Sequence, residues 1–120
     1  MNLNLRTCYR FAFISAMLTT LIICLIPISH AGPINHFDKI VHTANYLILS
    51  GLAWNAYPSQ QSFFKTHLPY IFAFGIFIEI AQGFTEYRTF SWLDMLANLS
   101  GVILFGILLK IKHRQSPSTN

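Results

Sequence analysis

Apolar positions along this chain gather into four long stretches separated by short polar or turn-forming segments, and each stretch reads as a helix. The first covers about residues 11–28, follows Arg6 and Arg10, and ends near Pro27 and the turn-prone pair Gly32-Pro33. The second covers about 38–57: a charged first turn, then Ile40, Val41, Tyr46, Leu47, Ile48, Leu49, Leu52 and Trp54, with Pro58 as its stop. The third covers about 69–85, opens on Pro69 in its first turn, and is aromatic and aliphatic apart from Glu79 and Gln82. The fourth covers about 92–111. Ser91 is placed to cap it, Asp94 follows three residues later in the manner of a capping box, and Lys110, Lys112 and Arg114 close it.

About 20 residues of helix cross about 30 Å of hydrocarbon, so each stretch is close to a full crossing. Composition agrees, with 53% hydrophobic residues and only 10% charged in 120 residues, a balance unsuited to a water-soluble surface. The expected fold is an all-α, polytopic membrane protein: a four-transmembrane-helix bundle in one domain over residues 1–114, with a polar, disordered tail at 115–120. The net charge of +4 does not indicate nucleic-acid binding, because the Lys and Arg residues are scattered singly among apolar runs. Cys8 and Cys24 lie about 24 Å apart along one helix, too far to pair, and neither belongs to a CxxC or Cys/His metal motif.

Orientation follows from the charges at the helix ends. With four crossings, Arg6, Arg10, Lys65, Lys110, Lys112 and Arg114 fall on one side, six of the eight basic residues. The positive-inside bias makes that side cytoplasmic and both termini cytoplasmic, in the inner membrane. Lys39 and Arg88 fall on the outer side with all four acids, Asp38, Glu79, Glu86 and Asp94. Arg6, Arg10, the first apolar stretch and Ser29-His30-Ala31 also fit a cleavable signal sequence. The stretch is long for a signal and His30 is a poor neighbour for cleavage, so a retained helix is expected.

The outer charges mark the candidate site. An ionisable side chain in hydrocarbon costs about 2.5–3.5 kcal/mol on insertion scales, and Glu79 lies about 9 Å below the expected outer end of its helix. It must find a partner or stay protonated. Helical spacing offers partners: Asp38, Lys39 and His42 share the outer turn of the second helix, with Tyr46 one turn deeper. Gln82 follows Glu79 by three, Arg88 lies in the outer loop, and Asp94, Asn98 and Gly101 form a stripe on the fourth helix. His42 reads first as a hydrogen-bonded residue at a helix interface. A mixed His42, Glu79 and Asp94 metal site is compatible with the spacing, but His42 has no second histidine nearby, and the expected cofactor and metal complement is none. Tyr46, Trp54, Tyr57, Tyr70 and Trp92 read as interfacial anchors or packing residues, and Ala97 with Gly101 as a helix-packing contact.

The ordered set Asp38-Lys39-Ile40-Val41-His42, Glu79-Ile80-Ala81-Gln82, Arg88, Asp94-Met95-Leu96-Ala97-Asn98 and Gly101 resembles the VanZ-like membrane protein family over about residues 38–106. The resemblance implies a compact member without added domains. The family takes its name from a protein associated with low-level resistance to the glycopeptide teicoplanin, which makes antibiotic resistance a trait of that protein and not an assignment for this chain.

Three functions fit these residues. In the first, a non-enzymatic protein of the cell envelope binds a lipid precursor or a lipophilic, glycopeptide-type ligand. Arg88 and Lys39 face the ligand's anionic group, and Glu79, Asp94 and His42 set their geometry. In the second, an enzyme acts on an outer-leaflet lipid, with Glu79 or Asp94 as base, His42 as acid or base and Arg88 stabilising negative charge. A nucleophile motif such as G-x-S-x-G is absent from the sequence, which argues against acyl transfer by that route. In the third, the bundle is an accessory subunit of a membrane complex. A purely structural account, in which the charges neutralise one another and fix helix register, covers the same residues. The expected partners are membrane lipids and no nucleic acid, with no protein partner identifiable.

Overall fold

The computed structural model describes residues 4–26, 36–57, 59–86 and 91–115, leaving aside the side chains of residues 36–38 and 60. Its elements are α1 (Leu5–Leu25), α2 (His36–Ala56), a single turn α3 (Gln60–Ser62), a π-helical stretch (Phe63–His67), α4 (Leu68–Gly83) and α5 (Trp92–Gln115), with no strand among the described residues.

Local chemistry sets the helix ends. The Asn4 side chain accepts the Arg6 amide at 3.2 Å, so α1 starts at Leu5 and carries Arg6 and Arg10 inside it, earlier than the apolar pattern predicts. Its last amide bond runs from Ile26 to the Ile22 carbonyl at 3.0 Å, and Ile26 is extended, the conformation favoured before a proline such as residue 27. The third helix also starts earlier than its apolar pattern. Pro69 lacks an amide and crowds the turn before it; the chain stays helical by widening to π geometry over Phe63–His67, with the Leu68 amide reaching back to the Phe63 carbonyl. The polar residues Gln60, Gln61 and Lys65 hide this extension from a hydrophobicity reading. The predicted tail lies outside the described residues apart from Gln115, which ends α5.

Cross-helix contacts fix the directions. Arg10 Nε donates to the Ala56 carbonyl at 3.4 Å and Thr20 meets Asn45, so α1 and α2 are antiparallel. Lys39 meets Asp94, Thr43 Oγ donates to the Ala97 carbonyl at 3.2 Å, and Trp54 packs on His113, so α2 and α5 are parallel. Gln82 of α4 reaches the Cys24 carbonyl of α1 at 2.9 Å, which makes those two parallel. The start of α1 and the end of α5 therefore share one end of the bundle, where Arg10 lies over Tyr57 and Lys110 over Phe64, each 5.0 Å from the ring centroid. The candidate cluster occupies the other end. Between them lies a core of Tyr46, Leu49, Ala53, Phe63, Ile71, Val102 and Leu109. Phe63 packs edge-on against Trp54 and Phe105, with centroids 5.3 and 5.7 Å away.

Helices α2 and α5 approach most closely at Gly101. A methyl group there would run into the Thr43 carbonyl and crowd the Leu47 amide and Tyr46 Cβ, so only glycine lets these backbones meet. Outward, the bundle shows Leu18, Ile22, Ile40, Ile48, Phe77, Ile80, Leu93, Leu96, Ile103 and Ile107. Three helical segments, Leu5–Leu25, Phe63–Gly83 and Trp92–Gln115, are long and apolar enough to cross a membrane. The 21-residue α2 is not among them; it carries Asp38, Lys39, His42, Asn45, Ser50 and Asn55.

Gly101→Ala should destabilise the folded protein by about 1–3 kcal/mol through overpacking. Gly51→Ala, whose new methyl would meet Phe105 at an ordinary 3.5 Å, should be neutral or stabilise by up to about 1 kcal/mol. Thermal or denaturant unfolding in detergent measures both.

Candidate functional site

Four side chains from two helix starts form the centre of the site. On α2, Lys39 and His42 are three residues apart and share a face; on α5, Asp94 and Asn98 are four apart and meet them. Lys39 Nζ forms an ion pair with Asp94 Oδ1. His42 lies between the two α5 residues, with Nδ1 3.0 Å from Asn98 Oδ1 and Nε2 3.8 Å from Asp94 Oδ2. The ring thus presents Nδ1 to the Asn98 amide and Nε2 toward the carboxylate.

Ser91 caps α5 by accepting the Asp94 amide on its hydroxyl at 3.2 Å. In a complete capping box the carboxylate three residues on would take the Ser91 amide in return. Here Asp94 is turned to Lys39 and His42, and Glu79 Oε2 of α4 accepts the Ser91 amide instead, at 3.4 Å. One carboxylate thus joins the C-terminal part of α4 to the start of α5. Glu79 is fully buried, and Asn98 nearly so.

The structure therefore brings together Lys39, His42, Glu79, Asp94 and Asn98. It does not bring Gln82 to them: that amide ties α4 to the end of α1, where it satisfies the Cys24 carbonyl. Three residues after Glu79 it lies near the same face, yet it turns to α1 while Glu79 turns to α5, a choice of partner that sequence spacing does not assign. The Asp38 side chain and Arg88 lie outside the described residues. Tyr46 is a core residue at 2% exposure, and its ring lies on Gly75. Tyr70 and Trp92 instead face outward. Sequence reading missed the Ser91 amide and the Thr20–Asn45 pair; the capping pattern at Ser91 was the available signal for the first.

One donor atom each from His42, Glu79 and Asp94 lie within 4.8 Å of one another, a spacing that could hold a metal ion among the described residues. Beside them, an open groove of about 400 Å³ runs along α2 from Lys39 past Ile40, Thr43 and Ala44 to Leu47. A larger, apolar cavity of about 540 Å³ lies between α1 and α4, toward the opposite end, lined by Phe13, Met17, Tyr57, His67, Tyr70 and Phe74 among others.

A helical bundle with an apolar exterior and charged groups inside is an integral membrane protein. The family model described as VanZ/LLP1 matches residues 2–113, and the chain belongs to that family. Comparison with curated proteins and with solved structures gives no match.

Removing the Lys39–Asp94 pair one partner at a time tests how far the two helix starts depend on it. A double-mutant cycle over Lys39→Met and Asp94→Asn should return a coupling of about 0.5–1 kcal/mol that shrinks as salt is raised, read by unfolding in detergent.

Proposed function

We propose that the chain crosses the cytoplasmic membrane four times with both termini inside, and that its outer end binds the anionic headgroup of an envelope lipid. The fourth crossing is α2, whose 21 residues span about 31 Å. Four of its polar side chains, at Thr43, Asn45, Ser50 and Asn55, are turned to partners within the bundle or to its own backbone. Asn45 bonds Thr20, Thr43 bonds the Ala97 carbonyl, and Ser50 and Asn55 each bond the carbonyl four residues back. Arg10 and Lys110 at the opposite end support a cytoplasmic assignment there.

The observation that carries the ligand reading is the position of Lys39. Its side chain is 33% exposed while that of its partner Asp94 is 14% exposed, so the cation faces outward with the carboxylate behind it. The groove that begins at Lys39 continues over Ile40, Ala44 and Leu47. A fixed cation at the mouth of an apolar groove suits an amphiphile with an anionic head and a hydrocarbon tail. A lipid-linked envelope precursor fits that description, as does a lipophilic, glycopeptide-type molecule. Arg88, by its place in the chain just after α4, would join Lys39 on the anion, while Glu79, Asp94 and His42 hold the helix ends in register.

Reporter fusions after residues 30, 58, 88 and 115 should read outside, inside, outside and inside. For the ligand, binding of a polyprenyl pyrophosphate and of phosphatidylglycerol to protein in neutral-lipid nanodiscs should weaken about tenfold, or about 1.4 kcal/mol, in Lys39→Ala and Arg88→Ala. Unchanged affinity for both probes in both variants, with helicity intact, would refute the lipid site.

A further inference from the structure

We propose that His42, Glu79 and Asp94 form a site for one divalent first-row cation, with Zn²⁺ the best fit and Mn²⁺ a usable substitute. Three helices converge to make it: α2 supplies an imidazole nitrogen, α4 and α5 a carboxylate oxygen each, and the three donor atoms lie within 4.8 Å of one another. In a tetrahedral zinc site with bonds of about 2.0–2.2 Å, donors sit about 3.3–3.6 Å apart. The His42 Nε2 to Asp94 Oδ2 separation of 3.8 Å is already close to that. The other donor separations are no more than 4.8 Å.

The imidazole is held as a metal ligand needs it. A ligating histidine donates its other ring N–H to a carbonyl or carboxylate, which fixes the tautomer and aims the lone pair. His42 Nδ1 lies 3.0 Å from Asn98 Oδ1, an oxygen placed to accept a proton from that nitrogen, and Nε2 lies 3.8 Å from Asp94 Oδ2. Asp94 divides its oxygens in a compatible way, Oδ1 to Lys39 and Oδ2 toward His42. The surroundings also hold polar atoms that want an occupant: Asn98 Nδ2 and the Tyr46 hydroxyl, on residues 1% and 2% exposed, have no hydrogen-bond partner among the described residues. Buried polar groups of this kind are normally satisfied by water or a ligand. A hydrated cation between His42, Glu79 and Asp94 brings such water. With three protein donors the ion keeps an open position, and a phosphate oxygen of a headgroup held by Lys39 would complete it; that last step rests on the lipid reading above, whereas the cation site does not.

The test uses full-length, tag-free, chelator-stripped protein in detergent without added lipid. Zn²⁺ titrated against a chromophoric chelator, and Mn²⁺ followed by electron paramagnetic resonance, should each bind one equivalent. Pulsed resonance of the Mn²⁺ form should show coupling to an imidazole nitrogen that disappears in His42→Ala. Glu79→Gln and Asp94→Asn should each weaken Zn²⁺ at least tenfold, and Asn98→Ala about 10–100-fold as the support of the ring is lost. Failure to take up either ion, or uptake without imidazole coupling in the wild-type protein, overturns the site; the wild-type spectrum decides even if a variant fails to fold. Because no lipid is present, a negative result here leaves lipid binding to be judged by its own nanodisc experiment.

Discussion

Helices α2 and α5 meet at Gly101, and the register of that contact determines what else can meet. With no side chain on Gly101, its backbone sits against the Thr43 carbonyl and the Leu47 amide. One turn toward the cluster, Thr43 reaches the Ala97 carbonyl and His42 reaches Asn98; one further turn brings Lys39 to Asp94. A larger residue at 101 would push the two helix starts apart, and the polar pairs are too short to follow. The packing contact and the polar cluster are therefore a single structural feature, with the apolar seam holding the charges at contact distance.

The bundle reverses the polarity of a soluble protein. Its exterior presents long aliphatic and aromatic side chains, while Glu79, Gln82, Asn98, Ser50 and Thr20 lie buried within. Most of these have an evident use. Ser50 bonds its own helix, Thr20 links α1 to α2, Gln82 closes the exposed carbonyl at the end of α1, and Glu79 takes the cap amide of α5. In hydrocarbon each such group left without a partner would cost several kcal/mol, so the helix ends are joined to their neighbours by side chains where a soluble protein would use water. The aromatic cluster around Phe63 plays the corresponding part at the other end, helped by the π-helical widening before Pro69 that turns Phe63 and Phe64 into the bundle.

Membership of the VanZ/LLP1 family and the membrane character of the bundle are established by the family match and the apolar helices. The lipid and cation proposals add a division of labour within the cluster. Lys39 is the accessible charge at the groove, while His42, Glu79 and Asp94 are the shielded donors behind it. Asp94 faces both groups, Oδ1 toward Lys39 and Oδ2 toward His42, and under these proposals it would link the two. Asn98 lies against His42 through its side-chain oxygen.

The sequence by itself determined the helices, because a bilayer-scale run of apolar residues has few other stable forms and proline, glycine and cap residues mark its ends. It also singled out Lys39, His42, Glu79, Asp94 and Asn98, since ionisable and amide groups stand out against an apolar background at helical spacing. It placed the third helix start too late, because the extension through Gln60–Ser62 and Phe63–His67 is polar or irregular and carries no apolar signal. Only the tertiary structure decided which side chains share a space. Gln82 and Glu79 are neighbours on one helix yet serve different partners, the Cys24 carbonyl and the Ser91 amide. Likewise the spacing allowed His42, Glu79 and Asp94 to meet but could not decide it; they come from three helices, and the fold brings their donor atoms within 4.8 Å of one another.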